Sequence, residues 1–345
     1  MKNFTSLVQL KNHFKRFKNL SLKKIYGIVQ LEYPEIVLTT NKGVVGQLLE
    51  ATTGRRPNSN PNPDIQGLNV ELKVLPVRKI GDAIKPKERS KIKSINYSQI
   101  PNESWGSSAV RSKMELILFL VYEQPTGLSY RDWKEFVFKN VLLFDLKSER
   151  EDIIKEDWSR VKKTVAEKKA HLLSEGNSKI LGACTSGSGR LVVYGAGPPA
   201  RERSFCFKHS YMRVFYDEKT NPRSFSKLKF SNGLSIERFV VDSLSKELEG
   251  RLLGDVVKNR GLKFNSSSKS SFRGLINSVL KVPKNKRLYD LAIKNITIKT
   301  IPVNDKNKPW ESMSFPKFSL MDMLNESWDE DGEKEVCVFK SLITQ

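Results

Sequence analysis

The segment DIQGLNVELKVLPV at residues 64–77 returns as DLAIKNITIKTIPV at residues 290–303, an offset of 226 positions. Asn102-Glu103-Ser104-Trp105 likewise returns as Asn325-Glu326-Ser327-Trp328. Two matches in the same order and with similar separation predict a duplicated unit, against the plainer reading that a strand pattern and a tetrapeptide arose twice. A chain of 345 residues with 38% hydrophobic content can bury two cores. The division is expected between residues 1–215 and 216–345, where 215–235 carries Asp217, Asn221, Pro222, Arg223 and several serines. NSSSKSS at 265–271 reads as a second low-complexity loop.

Within the first unit, Leu7, Leu10, Phe14 and Phe17 recur at spacings of three and four among basic residues, which predicts an amphipathic helix. Val44, Val45, Leu48 and Leu49 predict another with one apolar side. TGRRPNSNPNP at 53–63 reads as a loop leading to Asp64. Leu68, Val70, Leu72 and Val74 then alternate with Asn69, Glu71 and Lys73, the pattern of a half-buried strand that projects Glu71 and Lys73 from one face. Further strands are expected at 116–122 and 191–194, with a charged helical stretch at 147–174 between them. The layout is mixed α/β.

Sixty Lys and Arg against 38 Asp and Glu give a formal charge of +22, so the surface should attract polyanions and release their counterions on binding. Nucleic acid is the leading partner, and a merely soluble basic protein the bland alternative. No apolar run is long enough to cross a bilayer and no signal-type stretch follows Met1, so a cytoplasmic location without membrane attachment is expected. Cys184, Cys206 and Cys337 are odd in number and widely scattered, which speaks against a disulfide framework or a cysteine metal site. With only His13, His171 and His209, a histidine cluster is equally unexpected. A catalytic metal would be held by oxygen, which points to Mg²⁺.

Phosphodiester hydrolysis needs an activated water and neutralisation of the charge that grows on phosphate, both within reach of carboxylate-bound Mg²⁺. Asp64 at the end of the loop and Glu71 on the strand are positioned to share one metal, with the Leu72 carbonyl as a further ligand. Lys73, on the face of Glu71, would orient water or stabilise charge, and Glu50 would add a carboxylate from the helix. Glu-x-Lys alone is weak, since it also occurs at Glu167–Lys169, and an exposed charge pair is its usual meaning. After the 191–194 strand, Gly195 and Gly197 would let the backbone approach a groove while Arg201 or Arg203 reaches bases or phosphates, although a plain surface turn fits as well.

Gly46-Gln47-Leu48-Leu49-Glu50, then Asp64, then Val70-Glu71-Leu72-Lys73 resemble the MutH family of DNA endonucleases. The resemblance continues through Trp105, Ser108, Val110 and Lys113 and through Arg203-Ser204-Phe205-Cys206-Phe207-Lys208, spanning roughly residues 40–215. It implies a restriction-endonuclease-like mixed sheet flanked by helices. It implies metal binding at Glu50, Asp64 and Glu71, catalysis by Lys73 and a role for Lys113 in or beside the site; apart from the resemblance, Gly197, Arg201, Arg203 and Lys208 are the residues expected to contact DNA. That family contains a mismatch-repair nicking enzyme and type II restriction endonucleases of the Sau-three-A class, which cut at GATC. Cys206 stands where the repair enzyme has an aromatic residue, so its response to methylated sites does not carry over.

The basic C-terminal part and the duplication resemble the two-domain restriction enzymes more than the nickase. A type II restriction endonuclease acting on double-stranded DNA is therefore expected, with a cognate DNA methyltransferase in the same system. A repair nickase is the alternative, and a catalytically silent DNA-binding protein the alternative from another class. The second unit is expected to be a partial, degenerate copy that binds DNA or regulates without cutting. It keeps Asp290 and Lys299, but Thr297 stands at the offset of Glu71 and Ile276 at that of Glu50. Self-association on DNA, or a second polypeptide completing this unit, is the expected arrangement.

Overall fold

The computed structural model describes residues 1–56, 62–176, 178–185, 189–228, 235–266 and 268–301, with a few isolated positions up to Ser312. Asn325–Trp328, Cys337 and residues 57–61 of the loop before Asp64 lie outside them. The chain forms two compact units, Met1–Tyr216 and Asp217–Gln345.

Unit 1 opens with α1 (Leu7–Lys15), α2 (Leu22–Glu32) and α3 (Val44–Ala51). Ser6 and Ser21 cap the first two, each side chain accepting a backbone N–H of the first turn. Then follow β1 (Glu71–Ile80), β2 (Ala83–Pro86), β3 (Ser90–Ser94), α4 (Ala109–Met114), β4 (Leu116–Glu123), β5 (Val137–Asp145) and α5 (Glu151–Ala166). The unit closes with β6 (Leu181–Thr185), β7 (Leu191–Val192), β8 (Ala200–Arg201), β9 (Arg203–Phe207) and α6 (His209–Thr220), whose residues from Asp217 on belong to unit 2.

The central sheet has the order β2-β1-β4-β5, with β1 parallel to β4 and the other pairs antiparallel. This is the mixed sheet flanked by helices that the resemblance implied. Apolar residues of α1 to α3, among them Leu10, Phe14, Ile25, Leu48 and Leu49, form one core with Leu118, Leu120 and Phe138 of the sheet. On the opposite face Phe119 and Phe144 meet Phe207 of β9 and Phe215 of α6. The second sheet, β3-β9-β6, is antiparallel.

Covering both faces changes one expectation. The strand at 68–74 starts at Glu71, Glu71 itself is buried, and Leu75 and Val77 continue its face into apolar packing. Leu68 belongs to a 3-10 turn and Val70 to an isolated bridge with Ile65. The 191–194 strand is reduced to two residues paired with β8 in a short ribbon.

Asp157 joins α5 to the second sheet. Its buried carboxylate accepts the backbone N–H groups of Lys179, Ile180 and Leu181 at 2.7–3.0 Å. Burial pushes this carboxyl's pKa up, and the three donors oppose the push. Asp157→Ala leaves those donors without their acceptor, and at roughly 1–3 kcal/mol for each unsatisfied group the loss, after partial rehydration, is about 3–5 kcal/mol. Urea unfolding measures it; a loss below about 1 kcal/mol would contradict this account.

Unit 2 contains β10 (Phe225–Ser226), α7 (Ile236–Leu248), α8 (Leu253–Asn259), α9 (Lys269–Val279), β11 (Arg287–Leu288) and α10 (Tyr289–Ala292). Its core includes Ile236, Val240, Leu244, Leu275, Ile276 and Leu291. As in unit 1, three helices precede the repeated segment. Asn69 and Asn295, at the repeat offset, both take left-handed backbone with φ of 53° and 54°. Val70 N–H donates to Ile65 O at 3.2 Å and Ile296 N–H to Leu291 O at 2.9 Å; Asn69 N–H donates to Gln66 O at 3.1 Å and Asn295 N–H to Ala292 O at 3.0 Å. The turn is therefore the same at both places. The strand that follows it in unit 1 is not repeated: residues 296–301 carry no strand, and the described residues of unit 2 contain only the two-residue pairing of β10 with β11 to serve as a sheet. No helix among the described residues is long and apolar enough to cross a membrane.

Candidate active site

Three chain segments meet at the start of β1. Glu50 lies in the last turn of α3, whose end is held by Thr52 and Thr53, each hydroxyl donating 2.7 Å to a carbonyl of that turn. His13 of α1 braces the same end through Nε2 and Thr52 Oγ1, 3.0 Å apart. Burial, with Arg16 and Lys2 nearby, pushes the His13 pKa down to about 3, so the ring stays neutral and acts as a brace.

Asp64 is set by the turn described above, in which Ile65 N–H also donates to Val70 O at 2.9 Å. Its Oδ2 accepts the Leu72 N–H at 2.8 Å, which ties the loop to the strand. Asn69 Nδ2 donates to Glu115 Oε2 at 2.7 Å, fastening the turn to the end of α4. Glu71 Oε1 accepts Lys73 Nζ at 2.9 Å and Lys113 Nζ at 3.0 Å, and Oε2 accepts Lys113 at 3.2 Å. Ser108 caps α4, and Trp105 and Arg111 both donate to Glu151 of α5, fixing the helix that supplies Lys113.

Glu50, Asp64, Glu71, Lys73 and Lys113 are thus brought to one place, with Leu72 in the backbone beside them. The sequence reading missed Arg55. Its guanidinium interacts with the charges of Glu50 and Asp64 while Nη1 donates to Lys2 O at 3.4 Å, and burial lowers its pKa. A lone arginine in a loop gave no signal of this. Glu115 and Thr52, which hold the turn and the helix end, were equally silent.

The electrostatics fit a divalent cation. Glu50 Oε1 is buried without a hydrogen-bond partner. Burial first, then the Asp64 charge, pushes the Glu50 carboxyl up to about 7, with Arg55 opposing and Glu71 adding to the rise. Asp64 is raised by burial and by Glu71, against the Leu72 N–H. A buried orphan oxygen among mutually repelling carboxylates is a set of hard donors that suits a divalent cation. Since Glu50 must lose its proton to ligate, ion affinity should climb by up to about tenfold per pH unit below 7 and level off above it. The folded carboxyl lies above its ordinary value of 4.5, so the metal-free fold has this group's stabilisation in full below that value and loses it as pH rises through about 7. Calorimetric Mg²⁺ titrations of wild type and Glu50→Gln from about pH 6 to 8 check this; equal slopes would remove Glu50 as the titrating group.

The four residues expected to face DNA separate. Gly197 sits in a turn whose N–H donates to Tyr194 O at 3.1 Å, and a Cβ there would lie 2.8 Å from the Tyr194 ring, so a side chain at this position would displace that ring. Arg201 on β8 has an exposed side chain, while its carbonyl accepts the Tyr97 hydroxyl at 2.5 Å. Arg203 instead points into the sheet, buried, with Nη1 on Ala183 O at 2.9 Å. Lys208 donates to Ser178 O at 2.9 Å. Arg203 and Lys208 are committed to holding the second sheet, because β6 and the loop before it supply carbonyls at their positions.

A restriction-endonuclease-like sheet with acidic and lysine side chains at the start of one strand defines a class, and comparisons show which proteins of that class the chain is similar to. The model of the DNA mismatch repair enzyme MutH matches residues 53–157. The type II restriction enzyme Sau3AI of Staphylococcus aureus is 30% identical over 310 residues, which cover 85% of this chain and 62% of that enzyme. DNA mismatch repair proteins MutH are 24% identical over 189 residues in Shewanella woodyi, covering 54% of this chain and 79% of the relative, and 30% identical over 124 residues in Vibrio campbellii, covering 36% and 52%. The chain is thus similar to the MutH-type DNA endonucleases, both repair and restriction enzymes. It spans 62% of the length of the Staphylococcus relative.

Proposed function

We propose that this protein is a type II restriction endonuclease that hydrolyses phosphodiester bonds of double-stranded DNA in a Mg²⁺-dependent reaction, with GATC as its target. The observation that carries this reading is the convergence of Glu50, Asp64 and Glu71 with Lys73 and Lys113 at the start of β1. Glu50, Asp64, Glu71 and the Leu72 carbonyl would hold the ion, which when bound supplies Lewis-acid activation of water and neutralises charge on phosphate. Lys73 orients the attacking water, and Lys113 sets the position of Glu71 and faces the negative charge that grows on phosphate. The +22 charge draws the duplex in, and Arg201 on the β7–β8 ribbon beside the Gly197 turn reaches it.

Residues 217–345 are read as the second, non-catalytic copy. Ile276, at the offset of Glu50, belongs to the apolar core, and Thr297 stands at the offset of Glu71. Asp290 accepts the Leu228 N–H at 2.8 Å, fixing structure as Asp64 does. The unit would add a DNA-contacting surface, with self-association on DNA or a second polypeptide completing it. A cognate DNA methyltransferase would protect the cell's own DNA, and the protein would work in the cytoplasm.

The match to mismatch-repair relatives favours a second reading, a nicking endonuclease. Incubating supercoiled plasmid with Mg²⁺ and sequencing the ends tests both. Linear fragments with ends at GATC support restriction, open circles support nicking, and intact plasmid across divalent ions would refute both.

A further inference from the structure

Away from the carboxylate site, the fold joins two cysteines that the sequence keeps 22 positions apart. Gly182 and Cys184 of β6 face the same way as Ser204 and Cys206 of β9, since Gly182 pairs with Cys206 and Cys184 with Ser204. The Sγ atoms of Cys184 and Cys206 and a carboxylate oxygen of Glu175 all lie within 4.8 Å of one another, and all three residues are buried. Gly182 makes room for the carboxylate: a Cβ there would fall 2.9 Å from Glu175 Cγ and 3.2 Å from Ser178 Oγ. Arg89 of the loop before β3 forms an ion pair with Glu175 from its more exposed side.

We propose that Cys184, Cys206 and Glu175 form a zinc site. Two sulfurs and one oxygen from three separate positions of the chain match the donors that zinc takes in tetrahedral sites. With bonds of about 2.3 Å to sulfur and about 2.0 Å to oxygen, the edges of such a tetrahedron are roughly 3.5–3.8 Å, so small side-chain rotations close the present cluster onto an ion. Binding releases the two thiol protons to solvent and sets two thiolates and a carboxylate against a dication; the negative charge left over is the one that Arg89 balances. A water, or Ser178 Oγ, completes the fourth position. The set differs from the all-oxygen group around Glu71, which suits a hard ion, so the inference does not rest on the proposed activity. The ion would tie the loop carrying Glu175 and Ser178 to β6 and β9, the strands that flank the β7–β8 ribbon.

The full chain, produced with zinc and dialysed into metal-free buffer, should retain roughly one zinc per molecule by mass spectrometry, and cobalt exchanged into it should show thiolate-to-metal charge-transfer absorption. Cys184→Ser and Glu175→Gln should each lower retained zinc by about tenfold or more, whereas Glu71→Gln should keep it. The cobalt spectrum of wild type keeps the test open if a variant fails to fold. Wild type without stoichiometric zinc and without the cobalt band overturns the proposal. So does zinc retained in full by folded Cys184→Ser, zinc lost from Glu71→Gln, or a Cys184–Cys206 disulfide formed in zinc-supplemented protein.

Discussion

Glu71→Gln and Asp64→Asn should each reduce cleavage by ~10³-fold or more while DNA binding stays the same or tightens. Each change removes an anionic ligand; a divalent ion contributes several kcal/mol of transition-state stabilisation, and every 1.36 kcal/mol is a factor of ten. Both replacements are chosen to keep the fold. Asparagine retains an oxygen to accept the Leu72 N–H now held at 2.8 Å, and glutamine retains an acceptor for Lys73 and Lys113. Losing a negative charge beside the phosphate path lessens repulsion of DNA, which is why affinity should not fall. Single-turnover cleavage at saturating Mg²⁺, beside gel-shift titration in Ca²⁺, separates the two effects. Substantial Mg²⁺-dependent cleavage by either folded variant would show that the catalytic centre lies elsewhere.

Lys73→Ala should lower the cleavage rate by about 10²–10⁴-fold with little change in stability, the range expected when a positioned proton-handling group is removed. Lys73 is partly exposed and pairs with Glu71 on the open end of the β1 face, so its removal leaves no cavity in the core. Lys113→Ala should act differently. Lys113 is the more enclosed partner and meets both oxygens of Glu71, so its loss frees the carboxylate to rotate and weakens the ion site as well as the chemical step. Mg²⁺ titrations of the rate should show mainly a lower plateau for Lys73→Ala, and both a lower plateau and a higher half-saturating concentration for Lys113→Ala. Wild-type rates for Lys73→Ala would remove it from the mechanism.

Much of this centre could be read without coordinates. The apolar spacing of Val44 to Leu49 marks α3 and so places Glu50 near its end, and the alternation around Glu71 and Lys73 marks a strand face. Hydrophobic periodicity reports which side of an element is buried, and α1 and α3 follow it because their burial comes from the sheet–helix layering common to such folds. The strand at 191–194 shows the limit: an apolar run becomes a two-residue ribbon, with Leu191 and Val193 exposed, because among the described residues β8 alone pairs with it. Residues 296–301 repeat the pattern of β1 but join no sheet among the described residues, although the turn before them is kept by its own short-range hydrogen bonds.

The local chemistry of the chain, then, dictated its helices, its main strand, its basic character and the order of its carboxylates. Long-range packing settled what those residues touch. Lys113 reaches Glu71 across 42 positions because β1 and β4 are parallel neighbours and α4 runs into β4. Arg203, which looked ready for DNA, turns inward to Ala183, while Arg201 two residues earlier stays exposed. Cys184 and Cys206 look scattered in the chain and stand together with Glu175 in the fold. Side-chain periodicity is fixed within a few residues by backbone geometry, whereas the partner across a sheet depends on strand order and register, which arise from the free energy of the whole packed unit.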